Sequence, residues 1–547
     1  MPRPNVWHCD DARAGLFVKS RVAVKNLRRV LCVFPRYAPS FGTFEHAYPL
    51  MDGVRAFMPP QGLLVIAAYL PAEWEVRLVD ENIGPASDED FAWADTVFVS
   101  GMHIQRDNII AIARRARGLG KVSVVGGPSV SSCPEHYPDF DYLHVGELGD
   151  ATDALIEALD TGARPPPHQV VFATKDRLPL ADFPQPAYEL IEGRRYFLGN
   201  IQYSSGCPYQ CEFCDIPVLY GRQPRYKEPA QITAELDAML AAGICGSVYF
   251  VDDNFIGNKK AARELLPHLV EWQKSRGYPF QFSCEATLNI AASPEILSLM
   301  REAFFYAIFC GIETPELGAL DAIKKSHNHQ SLPILDAIRT INGYGMEVVS
   351  GIILGLDTDT DATARNLLDF IEASKIPLLT INLLQALPKT PLHARLSATG
   401  RIDDSGARDS NVVFARPYDE VLADWRFAVQ RAYAPEAVYS RFAWHAEHTY
   451  PNRIRPPLTR ARLAPHYLRR GLVTLAKIIG NIGIKGSYRR TFWRMAWPAL
   501  KSGKIDELIA AALVAHHLIR FAQDCTHQRA TFFNDRPRDE AVVRQAA

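Results

Sequence analysis

The chain reads as an α/β protein in three parts: an N-terminal doubly wound, Rossmann-like parallel sheet, a central partial (β/α)6 TIM barrel, and a mainly helical C-terminal domain. Three observations predict this. Short apolar strands alternate with helix-length stretches, the pattern of βαβ units. A proline-rich break, GARPPPH at 162–168, splits that alternation into two series. After about residue 400 strand patterns fade, and helical stretches such as Tyr418–Tyr433 and Ile505–Gln523 take over.

The elements follow in order. Residues 1–28 form an extension, and 29–165 the first domain. Its strands are expected in RRVLCVFPRY near Phe34, VRLVDEN near Val79, TVFVSGMH near Val99, KVSVVGGPSV near Val125 and, as a short fifth, DYLHVGELG. Helical patterns lie at Gly62–Leu70 and Asn108–Leu119. Residues 166–195, with Pro179, Pro184 and Pro186, read as a wrapping linker. In 196–395 six strands are expected: Ile201–Ser205, Ser247–Val251, Pro279–Cys284, Tyr306–Ile312, Glu347–Leu354 and Thr380–Leu387. In both kinds of sheet, ligands sit at the carboxyl ends of the strands. Residues 396–547 form the helical domain.

Composition narrows the function classes. The 547 residues are 48% apolar and 22% charged, with 60 Lys plus Arg against 61 Asp plus Glu. Near-neutrality and the lack of a recognition motif give no reason to expect nucleic acid. The opening carries Asp10, Asp11, Lys19, Arg21 and Lys25 without an apolar core, and no apolar run has membrane-spanning length. A cytoplasmic location is the expectation. Three of the ten cysteines are clustered and seven scattered, which suits a metal site in a reducing compartment better than a disulfide framework.

The clustered three are Cys207, Cys211 and Cys214, in SSGCPYQCEFCDIP directly after the first barrel strand. Three soft thiolates on one short loop can cap three irons of a 4Fe–4S cube and leave the fourth iron open. The alternatives are unrelated cysteines or zinc. Zinc usually takes four closed ligands in pairs, and there is no second C-x2-C pair.

This spacing, with aromatic Phe213 before the last cysteine, resembles the radical S-adenosylmethionine (SAM) superfamily over residues 200–395. The resemblance implies SAM chelated at the open iron and cleaved to a 5′-deoxyadenosyl radical, with the electron coming from a donor such as flavodoxin or ferredoxin. It also implies roles around the barrel. The Phe213 backbone contacts adenine. Asp252, Asp253 and Asn254 bind the SAM amino group, and Glu285 the ribose. Gly351 and Gly355 lie beside adenine, and Leu387 gives a backbone contact. Glu313 and Thr314 stand at a fourth strand end.

The first domain is similar to the cobalamin-binding domain fused to one large branch of that superfamily. The matching segments are PPQGL at Pro59–Leu63, Ser100–Gln105, VGGP at Val125–Pro128 and VGE at Val145–Glu147. The likeness implies cobalamin against Ser100, Gly101, His103, Gln105, Gly126, Gly127, Pro128, Gly146 and Glu147. Strand-end glycines let a flat ring approach the backbone. The D-x-H-x-x-G motif of free-standing cobalamin proteins is absent: Gly101 stands where Asp would precede His103, and Arg106 where Gly would follow. His144 fails the same pattern. The lower face of cobalt is left unassigned, and a nucleotide-binding or ligand-free domain is the alternative.

Methylthiotransferases hold a second cluster on three N-terminal cysteines, but Cys9, Cys32 and Cys133 share no such spacing. Cys245, Cys284, Cys310 and Cys525 read as small core residues, with Cys284 and Cys310 also placed to face the barrel cavity. The tail resembles the subgroup with a helical C-terminal domain of unknown function that includes the hopanoid C-3 methylase. Between Asn452 and Lys504 there are 13 Lys/Arg and no Asp or Glu, interleaved with Trp493, Trp497 and LVTLAKIIGNIGI. That tract fits peripheral contact of 453–504 with an anionic membrane, or a solvated basic face.

The resulting expectation is a cobalamin-dependent radical SAM enzyme that methylates an unactivated carbon of a small molecule or lipid. One SAM supplies the methyl group through methylcobalamin, and a second is cleaved at the cluster. The alternatives are cyclisation, rearrangement or oxidation without methyl transfer, and a non-catalytic cobalamin- or membrane-binding protein.

Overall fold

The computed structural model describes residues 22–161, 166, 168–403, 405, 408–457 and 465–527, and at 466 and 467 the backbone alone. Most of the N-terminal extension with Cys9, most of the GARPPPH break, and Arg460 and Arg462 of the basic tract lie outside the described residues.

The first sheet holds β1 (Arg29–Phe34), β2 (Glu75–Asp80), β3 (Thr96–Ser100), β4 (Val122–Gly126), β5 (Tyr142–Val145) and β6 (Val170–Ala173). Their order is β2-β1-β3-β4-β5-β6, and every pairing is parallel. Strand β1 shows why its sequence is apolar throughout. Val30, Cys32 and Phe34 enter one core and Leu31 and Val33 the other, because helices cover both faces. The sixth strand comes from the segment expected to be linker. Its alternation of half-buried and exposed residues marks an edge strand, whose weak pattern prolines at either side concealed.

The second sheet holds β7 (Gly199–Ile201), β10 (Gly246–Phe250), β11 (Phe280–Glu285), β12 (Phe305–Glu313), β13 (Glu347–Leu354) and β14 (Leu379–Leu383). Between β7 and β10, β8 (Ser204–Ser205) and β9 (Arg225–Tyr226) form a small antiparallel hairpin. The order is β14-β13-β12-β11-β10-β7, all parallel, and no pairing among the described residues closes β14 onto β7. The expected strand Ile201–Ser205 is broken in two. The carboxylate of Asp252 accepts the amides of Tyr203 (2.7 Å) and Ser204 (2.9 Å), so this backbone leaves the sheet.

An open barrel exposes backbone carbonyls along its edge strand, and these must be satisfied. The helix Tyr418–Ala432 does so: Trp425 Nε1 donates to the Ile381 carbonyl (2.9 Å) and the Tyr433 hydroxyl to that of Leu379 (2.6 Å). Helices Pro435–His448, Pro465–Ile478, Arg489–Lys501 and Ile505–Thr526 follow, and the core of the barrel runs on into them without a break. No helix among the described residues is long and apolar enough to cross a membrane.

Candidate active site

The three cysteines sit on the loop that leaves β8. Its first turn needs glycine: Gly206 has φ +98°, and a Cβ there would lie 2.9 Å from the Gly221 carbonyl oxygen. The Cys207 amide donates to that same oxygen (3.2 Å), and the Cys214 amide to the Cys211 carbonyl (3.2 Å). All three thiols are half-buried. Burial pushes each thiol up, Cys214 to about 12, with Asp215, Cys211 and Cys207 adding to the effect on Cys214. Sulfurs that raise one another on one short loop form a donor set suited to a cation, and soft sulfur suits iron–sulfur clusters.

Ion pairs clamp this loop. Glu212 accepts from Arg395 Nε (2.6 Å) and Nη2 (3.1 Å), and Arg395 also reaches Asp357 (2.8 Å), tying the motif to the helix Pro391–Ala398. Lys325 pairs with Glu313 (2.5 Å), both side chains 9% exposed, and lies 5.4 Å from the centre of the Phe213 ring. Burial opposes its charge, but Glu313 and the thiols of Cys211 and Cys214 hold it raised. A Cβ on Gly311 would lie 2.7 Å from Lys325 Nζ, so glycine makes room for the pair. Sequence reading missed Lys325 and Arg395. An ion-pair partner 183 positions away leaves no local signal.

The expected SAM residues fall into two groups. Asp253, Asn254 and Glu285 gather at adjoining strand ends. Asp253 accepts the Gly206 amide (2.6 Å), and Asn254 hydrogen-bonds the Cys207 thiol. Tyr249 donates to Glu285 (3.1 Å). Burial raises Asp253 to about 6 and Glu285 to about 7. These buried carboxylates suit a cationic or hydroxyl-bearing ligand. A Cβ on Gly351 would meet Thr380, Phe309 and Glu313 at ordinary contact distances.

Three of the expected residues have protein partners of their own. Asp252 is fully buried and one of its carboxylate oxygens holds the loop backbone, so it shapes the loop, while the other oxygen has no hydrogen-bond partner. Gly355, at φ +96°, gives its Cβ position to the Phe414 ring, 2.6 Å away. The Leu387 carbonyl is taken by the Thr390 hydroxyl (2.6 Å). Cys284 and Cys310 are likewise fully buried in the core and do not line the lumen.

The carboxyl edge of the first sheet faces this loop. Glu147 accepts from Ser205 (3.0 Å), two residues before the first cysteine, and from Arg225 (2.5 Å), with Arg177 at 3.1 Å. It is an interdomain clamp. Lys389 adds a second bridge to the Ser131 carbonyl (3.0 Å). Gln105 is also committed: it is 1% exposed and bonds the Pro35 carbonyl (2.7 Å) and the Met102 amide (2.9 Å). A Cβ on Gly101 would lie 3.1 Å from the side chains of Gln105 and Ile109, and one on Gly146 3.0 Å from that of Thr174. Ser100, His103, Gly126, Gly127 and Pro128 stay partly open. Gly127, at φ +96°, has no space for a Cβ beside the Ser100 hydroxyl. This glycine-lined shelf opposite the cysteine loop fits a flat, bulky group.

Comparison with known proteins decides the family. The Radical SAM superfamily model matches 201–371, and a domain of unknown function, DUF4070, matches 390–531. The hopanoid C-2 methylase of Rhodopseudomonas palustris (strain TIE-1) is 60% identical over 517 residues, 94% of this chain and 98% of that protein. The chain belongs to the hopanoid C-2 methylase family of radical SAM enzymes. The hopanoid C-3 methylase of Methylococcus capsulatus (strain Bath) is 25% identical, over 58% of this chain and 65% of its own. Among solved structures, the radical SAM methyltransferase TsrM of Kitasatospora setae, with cobalamin and a 4Fe–4S cluster bound, shares the fold at TM-score 0.57. It is 16% identical, over 92% of this chain and 100% of its own.

The barrel of this radical SAM enzyme is hollow. A cavity of about 640 Å³ runs inside strands β10 to β14. Glu285 and Tyr249 line it toward the carboxyl ends of the strands, Phe309, Val349 and Leu513 in the middle, and Cys245 and Glu347 at the amino ends. Its volume is that of a site for one mid-sized organic molecule.

Proposed function

We propose that the chain transfers a methyl group to C-2 of a hopanoid. The lumen supports this most: its largely apolar length runs from Tyr249 and Glu285 at the carboxyl ends of the strands to the helical domain, and fused aliphatic rings gain most from such a space. The 60% identity to a hopanoid C-2 methylase supports C-2 as the position.

In this reading residues 29–165 hold cobalamin, 196–395 the cluster and SAM, and 396–547 close the lipid site. Cys207, Cys211 and Cys214 hold the cluster. Phe213, Asp253, Asn254, Glu285 and Gly351 surround SAM. Ser100, His103, Gly126, Gly127 and Pro128 meet cobalamin. The bound groups supply the electron, the hydrogen abstraction and the methyl group. The protein's own part is positioning. Glu147 fixes the distance between the two cofactor edges, Arg395 and Lys325 hold the cysteine loop, and the apolar walls keep water from the reacting carbon. A flavodoxin or ferredoxin delivers the electron, and the enzyme works at the cytoplasmic face of the inner membrane through 453–504.

The test is anaerobic reconstitution with a hopanoid, a reductant and methyl-labelled SAM. The expected product carries label on ring carbon C-2. Consumption of hopanoid without incorporation of label overturns methyl transfer.

A further inference from the structure

The two ends of the lumen differ chemically. Near the cysteine loop the polar groups are Glu285 and Tyr249. At the opposite end Glu347 accepts from the Tyr450 hydroxyl and lies 3.5 Å from the Arg453 guanidinium. Beside them Glu507 lines the cavity with one buried carboxylate oxygen that has no hydrogen-bond partner. A buried acceptor without a donor is costly, so this end is built for a ligand that brings hydroxyls.

This floor is formed by the helices Pro465–Ile478 and Ile505–Thr526, through Gly471 and Thr474 of the first and Asp506 and Ala510 of the second. Immediately beside these lining residues are large apolar side chains turned to solvent: Leu468 (50% exposed), Leu472 (67%) and Ile505 (41%). Leu468 and Leu472 are one turn apart, next to the exposed Arg469. The tract around them, 452–504, carries 13 Lys/Arg and no carboxylate. Arg469 also reaches Asp52 (3.3 Å). Exposed leucines beside a cation-rich segment complement an anionic bilayer: acyl chains meet the leucines and headgroups the cations.

We propose that the floor of the barrel is the loading end: a hopanoid leaves an anionic bilayer, passes between these two helices with its rings leading, and keeps its hydroxylated end at Glu347, Arg453 and Glu507. The inference rests on the substrate reading above and adds a route and an orientation. SAM and lipid then arrive from opposite ends of one lumen, and neither must leave for the other to bind.

The experiment compares the wild-type holoenzyme with L468E/L472E. Each receives the same hydroxylated hopanoid, once in phosphatidylglycerol vesicles and once in detergent micelles. The double variant is expected to lose vesicle flotation and about tenfold or more of its rate from vesicles, while its rate from micelles stays within about twofold. Equal rates from vesicles overturn the loading end. Loss of both rates to the same extent also overturns it, since the leucines would then serve the fold. Wild-type turnover in micelles checks the substrate reading separately, and its absence removes both readings. Ala510→Trp narrows the passage and is expected to slow both forms; unchanged turnover overturns the route.

Discussion

The carboxyl edges of the two sheets face each other yet are built on different principles. At the barrel edge nearly every polar side chain has a protein partner: Glu212 with Arg395, Glu313 with Lys325, Asp252 and Asp253 with backbone amides. At the edge of the first sheet the open part is a shelf of small residues, and the polar groups Gln105 and Glu147 are spent on holding structure. A cluster and a charged ligand need directed groups fixed in place. A broad ring needs clearance. The contrast predicts that changes at the barrel edge destroy chemistry, while changes at the shelf alter occupancy.

The largest effect tests the barrel edge. Cys211→Ala is expected to abolish both the visible absorbance of the cluster and all 5′-deoxyadenosine formation, with cobalamin content unchanged. Equal loss of cobalamin would erase the division between the edges. Next is Lys325→Met, which leaves Glu313 buried without its partner. Breaking a buried pair costs roughly 3–5 kcal/mol. Here the cation also faces the thiols, so the variant is expected to lower the cluster potential and slow SAM cleavage about tenfold or more. Voltammetry of the cluster separates that effect from simple unfolding.

These residues also show what sequence could and could not supply. The cysteine loop was legible because the chemistry demands a fixed spacing on one short segment. Strand-end Asp253, Asn254 and Glu285 were legible because parallel sheets place such positions together. Adjacent carboxylates on a strand end look alike in sequence, and only the structure shows that Asp252 holds the Tyr203 and Ser204 amides while Asp253 holds that of Gly206. For Glu147, a conspicuous VGE after a strand does not reveal that Ser205 and Arg225 converge on it from the neighbouring domain, with Arg177 beside them. The hollow lumen had no signal at all, since its walls come from five strands, three distant helices and the 42–58 segment of the first domain.

At the shelf, Gly127→Ala is expected to lower bound cobalamin several-fold and leave iron content intact, because a Cβ collides with Ser100 at a positive φ. Glu147→Gln sharpens the same contrast. As a clamp, its loss is expected to cut methyl transfer about tenfold while SAM cleavage and cobalamin content persist. Loss of cobalamin instead would return Glu147 to the ring.

The smallest effect is on stability. Burial raises Asp252 from 3.8 to about 7. The folded state therefore binds this proton more tightly than the unfolded chain does. As pH climbs from about 4 toward 7 the unfolded chain has already released its proton, so folding loses stability across that window and levels off above it. At about 1.36 kcal/mol per unit, the loss is at most roughly 4 kcal/mol. Asp252→Asn keeps an acceptor for the Tyr203 and Ser204 amides and removes the titration, so its unfolding midpoint should fall less steeply between pH 5 and 7 than that of the wild type. Parallel slopes would mean that Asp252 is already ionised in the folded protein. In that case its second oxygen would have to find a cationic partner, and the place for one is the ligand side.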